Sequence, residues 1–458
     1  MTGMELSARH IVVVGLARSG LAVARFLKES GAQVTITDRA AKADLGGFVD
    51  QALALDIDLE LGGHQEATIQ SADLVVVSPG VPHTLPVFQA ARNRGIELIG
   101  EMELASRFIR KPIVAVTGTN GKTTVTELVG RMLAESGKKV FVGGNIGNPL
   151  VEIAGKDAGL DVIVAEVSSF QLDTMATFHA HVAVLLNITP DHLDRYTDFE
   201  AYGRSKSRVF ENQGVSDFAI YPVDDPRVRK YCQGIAGGRL PFYSRSAHEG
   251  PPTSGAVITS SQIVVTIPDK VEGIIDLGRT GLAGPHNMEN IAAAGLAALA
   301  AGGTLEGVQS ALDAFQALPH RIETVRTLRR IRFVNDSKAT NVDAVIRALE
   351  CFDGPVVLIM GGRNKGYDFT TLRDPVQRRV KKLIAIGESA DEILNALGRA
   401  PAGGGEKAAD LEQAVLRAYE SASAGDTVLL SPACASFDMF ASYAERGDRF
   451  RRLVEGLS

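Results

Sequence analysis

Residues 114–130 read VAVTGTNGKTTVTELVG, and the residue types and spacing of GTNGKTT suit the holding of a phosphate chain. A β-branched run (Val114, Val116) enters a turn containing Gly118 and Gly121, and a helical pattern begins at Lys122. Such a turn aims backbone N–H groups and a helix N-terminus at an anion. Lys122 adds a point charge for the β- and γ-phosphates, and the Thr123 hydroxyl is placed to ligate Mg²⁺. The common form of this loop has a glycine where this chain has Val116, so the loop is short. An ordinary glycine turn with an exposed lysine is the competing reading, and the strand–loop–helix order weighs against it. ATP or GTP is the expected ligand.

Other chemistry-bearing groups are scattered along the chain. GLARSG (15–20) has the outline of a dinucleotide turn with Ala17 in place of the middle glycine, and Asp38 ends the next strand where a ribose partner would sit. The Ala17 methyl crowds a pyrophosphate, which disfavours NAD and leaves other nucleotide diphosphates open, as it does a plain strand-to-helix turn. Glu166 follows an apolar run and suits Mg²⁺, although a solvated loop glutamate would read the same. In DHLDRY (191–196) His192 stands between two carboxylates, a place where a lone histidine is more often structural. Lys206, in YGRSKSRVF, reads as a surface cation. Asn287 and Asn290 precede an alanine-rich helix, suited to capping it or to meeting a base edge, and the planar fork of Arg321 suits a phosphate.

Composition narrows the class. A chain of 458 residues, 45% apolar, is too long for one core and calls for two or three domains. A formal net charge of −6 without a dominant basic stripe argues against a nucleic-acid partner. Three cysteines, Cys232, Cys351 and Cys434, lack metal-type spacing and suit reduced thiols in the cytoplasm. The N-terminal apolar run is too short for a secretory signal, and the alanine-rich stretch 291–301 is too short to span a bilayer. These features predict a soluble protein with no membrane insertion.

The elements that must position these groups are strands alternating with helices from end to end, the mark of α/β domains with mostly parallel sheets. Three blocks are expected, 1–110, 111–319 and 320–458, with joints at RKP (110–112) and LPHR (318–321). Residues 236–280, rich in glycine, serine and β-branched types, predict a small antiparallel excursion. Nearly every unusual motif falls just after a strand-like run, as NDSKATN, GGRNKG and SPACASFD do in the third block. In open parallel sheets ligands bind outside the carboxyl ends of the strands.

Taken together, GTNGKTT, EVSS, DHLDRY, GPHNMEN, PHR and NDSKATN resemble the Mur ligase family, ATP-dependent amide ligases that build the peptidoglycan precursor, over essentially the whole chain. NDSKATN with GGRNKG and SPACASFDMF resembles the D-glutamate-adding branch. The resemblance implies a Rossmann-like UDP-binding domain, a P-loop ATPase-like central domain and a Rossmann-like C-terminal domain. It implies ATP and Mg²⁺, with UDP-N-acetylmuramoyl-L-alanine and D-glutamate as substrates of a cytoplasmic monomer. By position, Ser19, Asp38, Arg39, Ser78 and Gly80 would hold UDP, with Asn145 and His192 at the sugar–peptide end. Gly118, Thr119, Asn120, Gly121, Lys122, Thr123 and Thr124 would cradle the ATP phosphates. Asn290 would meet adenine, Arg321 phosphate and Asp336 ribose. Lys338, Thr340, Lys365, Ser436 and Phe437 would line the D-glutamate site. Thr123 and Glu166 would ligate one Mg²⁺, and His192 a second with Lys206, the lysine carbamylated in this family; Lys122, His192 and Lys206 would be catalytic. Against this stand a nicotinamide-dependent oxidoreductase, a nucleotide switch, and ligases of other amino acids or of folate.

Overall fold

The computed structural model describes residues 4–192, 195–243, 253–282 and 284–458, so Asp194 of DHLDRY lies outside the described residues. Among these, three sheets form, as the alternation of strands and helices predicts. The first contains β1 (His10–Val14), β2 (Gln33–Asp38), β3 (Asp58–Leu61), β4 (Leu74–Val77) and β5 (Glu97–Gly100), in the order β3-β2-β1-β4-β5. All its pairings are parallel, with Val12 beside Thr35 on one side and Val75 on the other. The runs IVVV and LVVV are apolar at every position because both faces of these strands are buried. The strand order reverses between β1 and β4, which opens a crevice at their carboxyl ends.

The second sheet comprises β6 (Ile113–Thr117), β7 (Val140–Gly144), β8 (Val162–Glu166), β9 (Val182–Leu185), β10 (Phe218–Pro222), β11 (Gly238–Tyr243), β12 (Gly255–Ile258), β13 (Gln262–Ile267) and β14 (Val271–Asp276). Its order is β14-β13-β12-β11-β10-β9-β6-β8-β7. The expected antiparallel excursion is present but begins later, at β12; β11 runs parallel to β10, with Phe218 beside Gly238. GRLPFY hides this strand from a sequence reading because glycine and proline weaken its alternation. In β13 the alternation is plain, every second residue being buried.

The third sheet holds β15 (Glu323–Leu328), β16 (Ile331–Asn335), β17 (Val356–Gly361), β18 (Val380–Ile386), β19 (Gly405–Lys407) and β20 (Thr427–Leu430), ordered β15-β16-β20-β17-β18-β19. An antiparallel hairpin, β15–β16, edges an otherwise parallel sheet. Leu358 and Met360 face one core, Val357 and Ile359 the other, as period-two alternation requires.

The three sheets fall into two compact units rather than three. The first unit holds the first and second sheets together; the second holds the third sheet with Thr189–Phe199 and Arg279–Glu289. The reason the joint at 110–112 is not a free linker is local: the Arg110 and Lys111 N–H groups both donate to the Asp157 carboxylate, at 2.7 and 2.9 Å. Among the described residues no helix is long and apolar enough to cross a membrane, and none of the three cysteines is in a disulfide.

Candidate active site

The GTNGKTT turn forms between a strand and a helix, where the sequence places it. β6 ends at Thr117, Gly118 (φ +151°) and Gly121 (φ +87°) turn the chain, and the helix Lys122–Glu135 starts at once. At Gly121 both the backbone angle and the space demand glycine, because a Cβ would meet the Asn290 amide. Asn290 thus lines the loop. The loop is pinned from β9: Asn187 accepts from the Asn120 N–H at 2.9 Å and donates to the Asn120 carbonyl at 3.0 Å, while its own carbonyl accepts from the Thr119 N–H at 3.0 Å. The Thr119 hydroxyl lies 3.2 Å from the Tyr202 hydroxyl. Thr124 is buried in the first helical turn, and Thr123 is half-buried beside it.

Two lysines converge on one carbonyl. Lys122 Nζ donates to Gly118 O and Thr119 O, each at 2.9 Å, and Lys206 Nζ donates to the same Gly118 O at 2.8 Å. Lys206 is 2% exposed and lies 4.7 Å from the Tyr202 ring centroid. The surface-cation reading of Lys206 is therefore corrected: its helix, Phe199–Ser207, turns Tyr202 and Lys206 inward together, four residues apart.

Glu166 closes β8, next to β6 in the sheet, and is buried rather than solvated. Its Oε1 accepts from the Asn145 amide at 2.7 Å; its Oε2 is buried and has no hydrogen-bond partner among the described residues. A buried carboxylate oxygen left unpaired is costly unless a cation meets it. Asn145, expected at the sugar–peptide end, is here the residue that orients Glu166. Ser168 and Gln171 form a capping box on the helix that follows.

At the first sheet's crevice, Asp38 accepts from the N–H groups of Leu16 at 2.7 Å and Ala40 at 2.8 Å, fixing the GLARSG turn. Ser78 Oγ donates to Gly15 O at 3.1 Å. Ser19 is half-buried, and Arg39 and Gly80 are exposed at the same edge. Arg18, on this turn, donates to the Asn148 side chain at 2.5 Å.

In the second unit, Asp336 is buried after β16 and accepts from Ser431 Oγ at 2.9 Å and the Ile322 N–H at 3.3 Å. Burial pushes its carboxyl up to about 7 against these donors and the Arg321 and Arg446 charges. Lys338 Nζ lies over the Tyr443 ring at 3.7 Å; Thr340 is half-buried, Ser436 buried and Phe437 65% exposed. His192 takes a left-handed backbone (φ +54°), rare for its type, with Nε2 3.8 Å from Asp191 Oδ2. Asp191, to which the sequence reading gave no role, hydrogen-bonds the Tyr367 hydroxyl and lies 3.9 Å from Lys365 Nζ and 3.4 Å from the Asn341 amide. The structure thus groups the His192 loop with Lys365. Asn187, Tyr202 and Tyr367 were also missed; position after a strand signalled Asn187, and helical spacing from Lys206 signalled Tyr202.

A glycine-turn loop of phosphate-binding type on a mostly parallel sheet, and two further mostly parallel sheets with polar strand-end loops, define a nucleotide-dependent α/β enzyme. The chain belongs to the Mur ligase family: residues 9–100 match the Mur ligase MurD-like N-terminal domain, 116–298 the Mur ligase middle domain and 320–434 the Mur ligase glutamate ligase domain. It is 50% identical over 458 residues to a UDP-N-acetylmuramoylalanine--D-glutamate ligase of Desulfosudis oleivorans, covering 100% of this chain and 98% of the relative. The relative of the same name in Desulfatibacillum aliphaticivorans is 48% identical, covering 99% of this chain and 100% of its own length. The solved pseudomurein peptide ligase type C of Methanothermus fervidus shares the fold, with a TM-score of 0.62 at 21% identity over 98% of this chain and 100% of that one.

Proposed function

We propose that the chain joins D-glutamate to UDP-N-acetylmuramoyl-L-alanine with hydrolysis of ATP to ADP and phosphate, in peptidoglycan precursor synthesis. The observation that carries this reading is the folded GTNGKTT loop with Lys122 and Lys206 on one carbonyl, in a chain of this family. A carboxylate is a poor electrophile. An alanyl carboxylate oxygen attacks the γ-phosphorus and ADP leaves; the D-glutamate amine then attacks the acyl carbon, phosphate leaves, and the nitrogen loses a proton. Positioning and charge stabilisation supply most of the rate.

On this reading the residues 118–124 and Asn290 hold ATP, with Arg321 and Asp336 contributing phosphate and ribose contacts. Ser19, Asp38, Arg39, Ser78 and Gly80 hold UDP. Lys338, Thr340, Lys365, Ser436 and Phe437 hold D-glutamate, and Lys365 is already drawn toward Asp191. Thr123 and Glu166 would hold Mg²⁺, which the unpaired Glu166 Oε2 fits; the ion supplies charge neutralisation at the phosphates. His192 and a carbamylated Lys206 would hold a second. Asn145 and His192 lie at the sugar–peptide end, and Asn145 also orients Glu166. The reading takes the protein as a cytoplasmic monomer and its functional segments as 1–110, 111–319 and 320–458. Asp38, which accepts from two backbone N–H groups, also fixes the turn of this site.

The test is ADP release across candidate amino acids. Release is expected only with both UDP-N-acetylmuramoyl-L-alanine and D-glutamate, because inversion at the α-carbon cannot keep two carboxylates and the amine in register. Equal turnover with L-glutamate or a diamino acid would overturn the reading.

A further inference from the structure

Among the described residues Arg446 is the largest fully buried side chain, with no exposed surface, and no step of the reaction described above uses it. It sits on the C-terminal helix Tyr443–Glu455, and its guanidinium points under the carboxyl edge of the third sheet. Four hydrogen bonds fix it. Nε donates to Ser337 Oγ at 2.9 Å and Nη2 to Ser337 O at 2.8 Å; Nη1 donates to Cys434 O at 3.2 Å and Gly361 O at 3.4 Å. Every acceptor is neutral, and among the described residues Arg446 makes no ion pair. The Asp438 and Asp336 carboxylates act on it without forming an ion pair, and burial outweighs them, so a purely structural account leaves the choice of arginine unexplained.

The three acceptor residues have one thing in common. Ser337, Gly361 and Cys434 lie at the carboxyl ends of β16, β17 and β20, which are neighbours in the order β16-β20-β17. The loops they begin are NDSKATN with Lys338 and Thr340, GGRNKG with Lys365, and SPACASFD with Ser436 and Phe437. One planar fork therefore holds all three loops that carry the proposed D-glutamate residues. Further ties point the same way: Ser337 Oγ donates to Tyr443 O at 2.8 Å, and Arg363 and Ala435 exchange backbone hydrogen bonds at 2.9 and 3.0 Å. The helix approaches closely enough to do this because Gly447 has no Cβ, which would strike His320.

We infer that Arg446 is a positioning residue for amino-acid binding: its buried guanidinium sets the mutual spacing of the NDSKATN, GGRNKG and SPACASFD loops and places a positive charge beneath a site for a dicarboxylate. Burial lowers its pKa to about 10, so the charge persists at neutral pH. A lysine in its place keeps the charge but offers no planar fork, and so cannot reach acceptors on three loops at once. The inference rests on the D-glutamate site lying at these loops.

The experiment measures KM for D-glutamate, ATP and the UDP-substrate separately, with thermal midpoints, in Arg446→Lys, Arg446→Ala and Ser337→Ala. Lys365→Ala and Ser436→Ala serve as controls on the site itself. The expected result is a KM for D-glutamate raised at least about tenfold in both Arg446 variants and less in Ser337→Ala, which loses one acceptor. KM for the UDP-substrate should stay within about threefold, and millimolar guanidinium should lower the D-glutamate KM of Arg446→Ala but not of Lys365→Ala. If Lys365→Ala and Ser436→Ala raise KM for D-glutamate while the Arg446 and Ser337 variants do not, the inference falls and the site stands. If the two controls leave it unchanged, the placement of the site falls, and the inference with it. Parallel loss of all three KM values with a lowered melting midpoint, in the milder Ser337→Ala as well, would reduce Arg446 to a structural residue.

Discussion

Lys206 shows what one residue's surroundings add to its type. Its string, YGRSKSRVF, reads as a solvated helix face, because helical spacing alone does not say which face turns inward when lysine and tyrosine share it. In the fold Lys206 Nζ and Lys122 Nζ donate to the same Gly118 carbonyl, so two cations share one acceptor in a buried place. Like charges this close disfavour each other, and CO₂ addition to Lys206 would exchange one cation for an anion with two hard oxygens. Lys206→Arg is therefore expected to lose activity as completely as Lys206→Ala, on the order of 10²-fold or more, since guanidinium keeps the charge and forms no such carbamate. Intact mass or diffraction should show the adduct, and acetate should partly restore the alanine variant. Arginine turning over near the wild-type rate would leave Lys206 a simple cation. Glu166 was more legible, as a carboxylate ending a strand beside a phosphate loop. Its Asn145 partner was not, because the contact joins the loop after β7 to the end of β8, 21 residues apart.

At the scale of elements, strand–loop–helix order made the phosphate loop readable, since glycine spacing and a β-branched run are local signals. Gly121→Ala combines a left-handed backbone with a collision against Asn290. It should cost about 1–2 kcal/mol in backbone strain and raise KM for ATP more than KM for D-glutamate, measured by initial rates. What local signals do not reveal is the chemistry of the short helix Glu101–Ser106, where two glutamates two residues apart titrate in opposite directions. Glu101 is buried, accepts from the Val151 N–H at 2.7 Å, and is pushed up to about 7 by burial, which outweighs its backbone donors. A raised carboxyl favours the protonated fold, so its stability contribution is full at pH below about 4.5 and is lost as pH climbs to about 7. Glu101→Gln, neutral at every pH, is expected to be more stable than the wild type above pH 7, by on the order of 3 kcal/mol, with the gain vanishing near pH 4.5 in denaturant titrations. A pH-independent difference would contradict this.

At the scale of the molecule, three sheets were legible from the three blocks of alternating elements, but their grouping was not, because proline at 112 marks a break in periodicity and not a break in packing. Glu103 shows the difference. Its carboxylate is fully buried and accepts from the N–H groups of Ala176 at 2.9 Å, Thr177 at 3.0 Å and Phe178 at 2.9 Å, from Thr177 Oγ1 at 2.6 Å and from Arg107 Nε at 3.0 Å. These donors join the helix after the first sheet to a segment of the second, within one compact unit. Burial alone would raise the Glu103 carboxyl, yet the Thr177 hydroxyl, the Ala176 and Thr177 N–H groups and Arg107 outweigh it and hold it below the usual range. Its contribution is therefore present above the ordinary glutamate range and is lost as pH falls through its own lowered pKa, the reverse of Glu101. Removing the charge leaves buried N–H groups short of an acceptor, a cost of about 1–3 kcal/mol for each one left unpaired. Glu103→Gln should lower the midpoint of the transition that melts the first and second sheets, and both sheets should shift together in hydrogen exchange. Trypsin should also cut poorly after Arg110 in the wild type, where the Arg110 and Lys111 N–H groups are held by Asp157, and readily in Asp157→Ala. Exchange that shifts in the first sheet alone, or release of an intact 1–110 fragment from the wild type, would return the joint to the independent boundary that the sequence predicts.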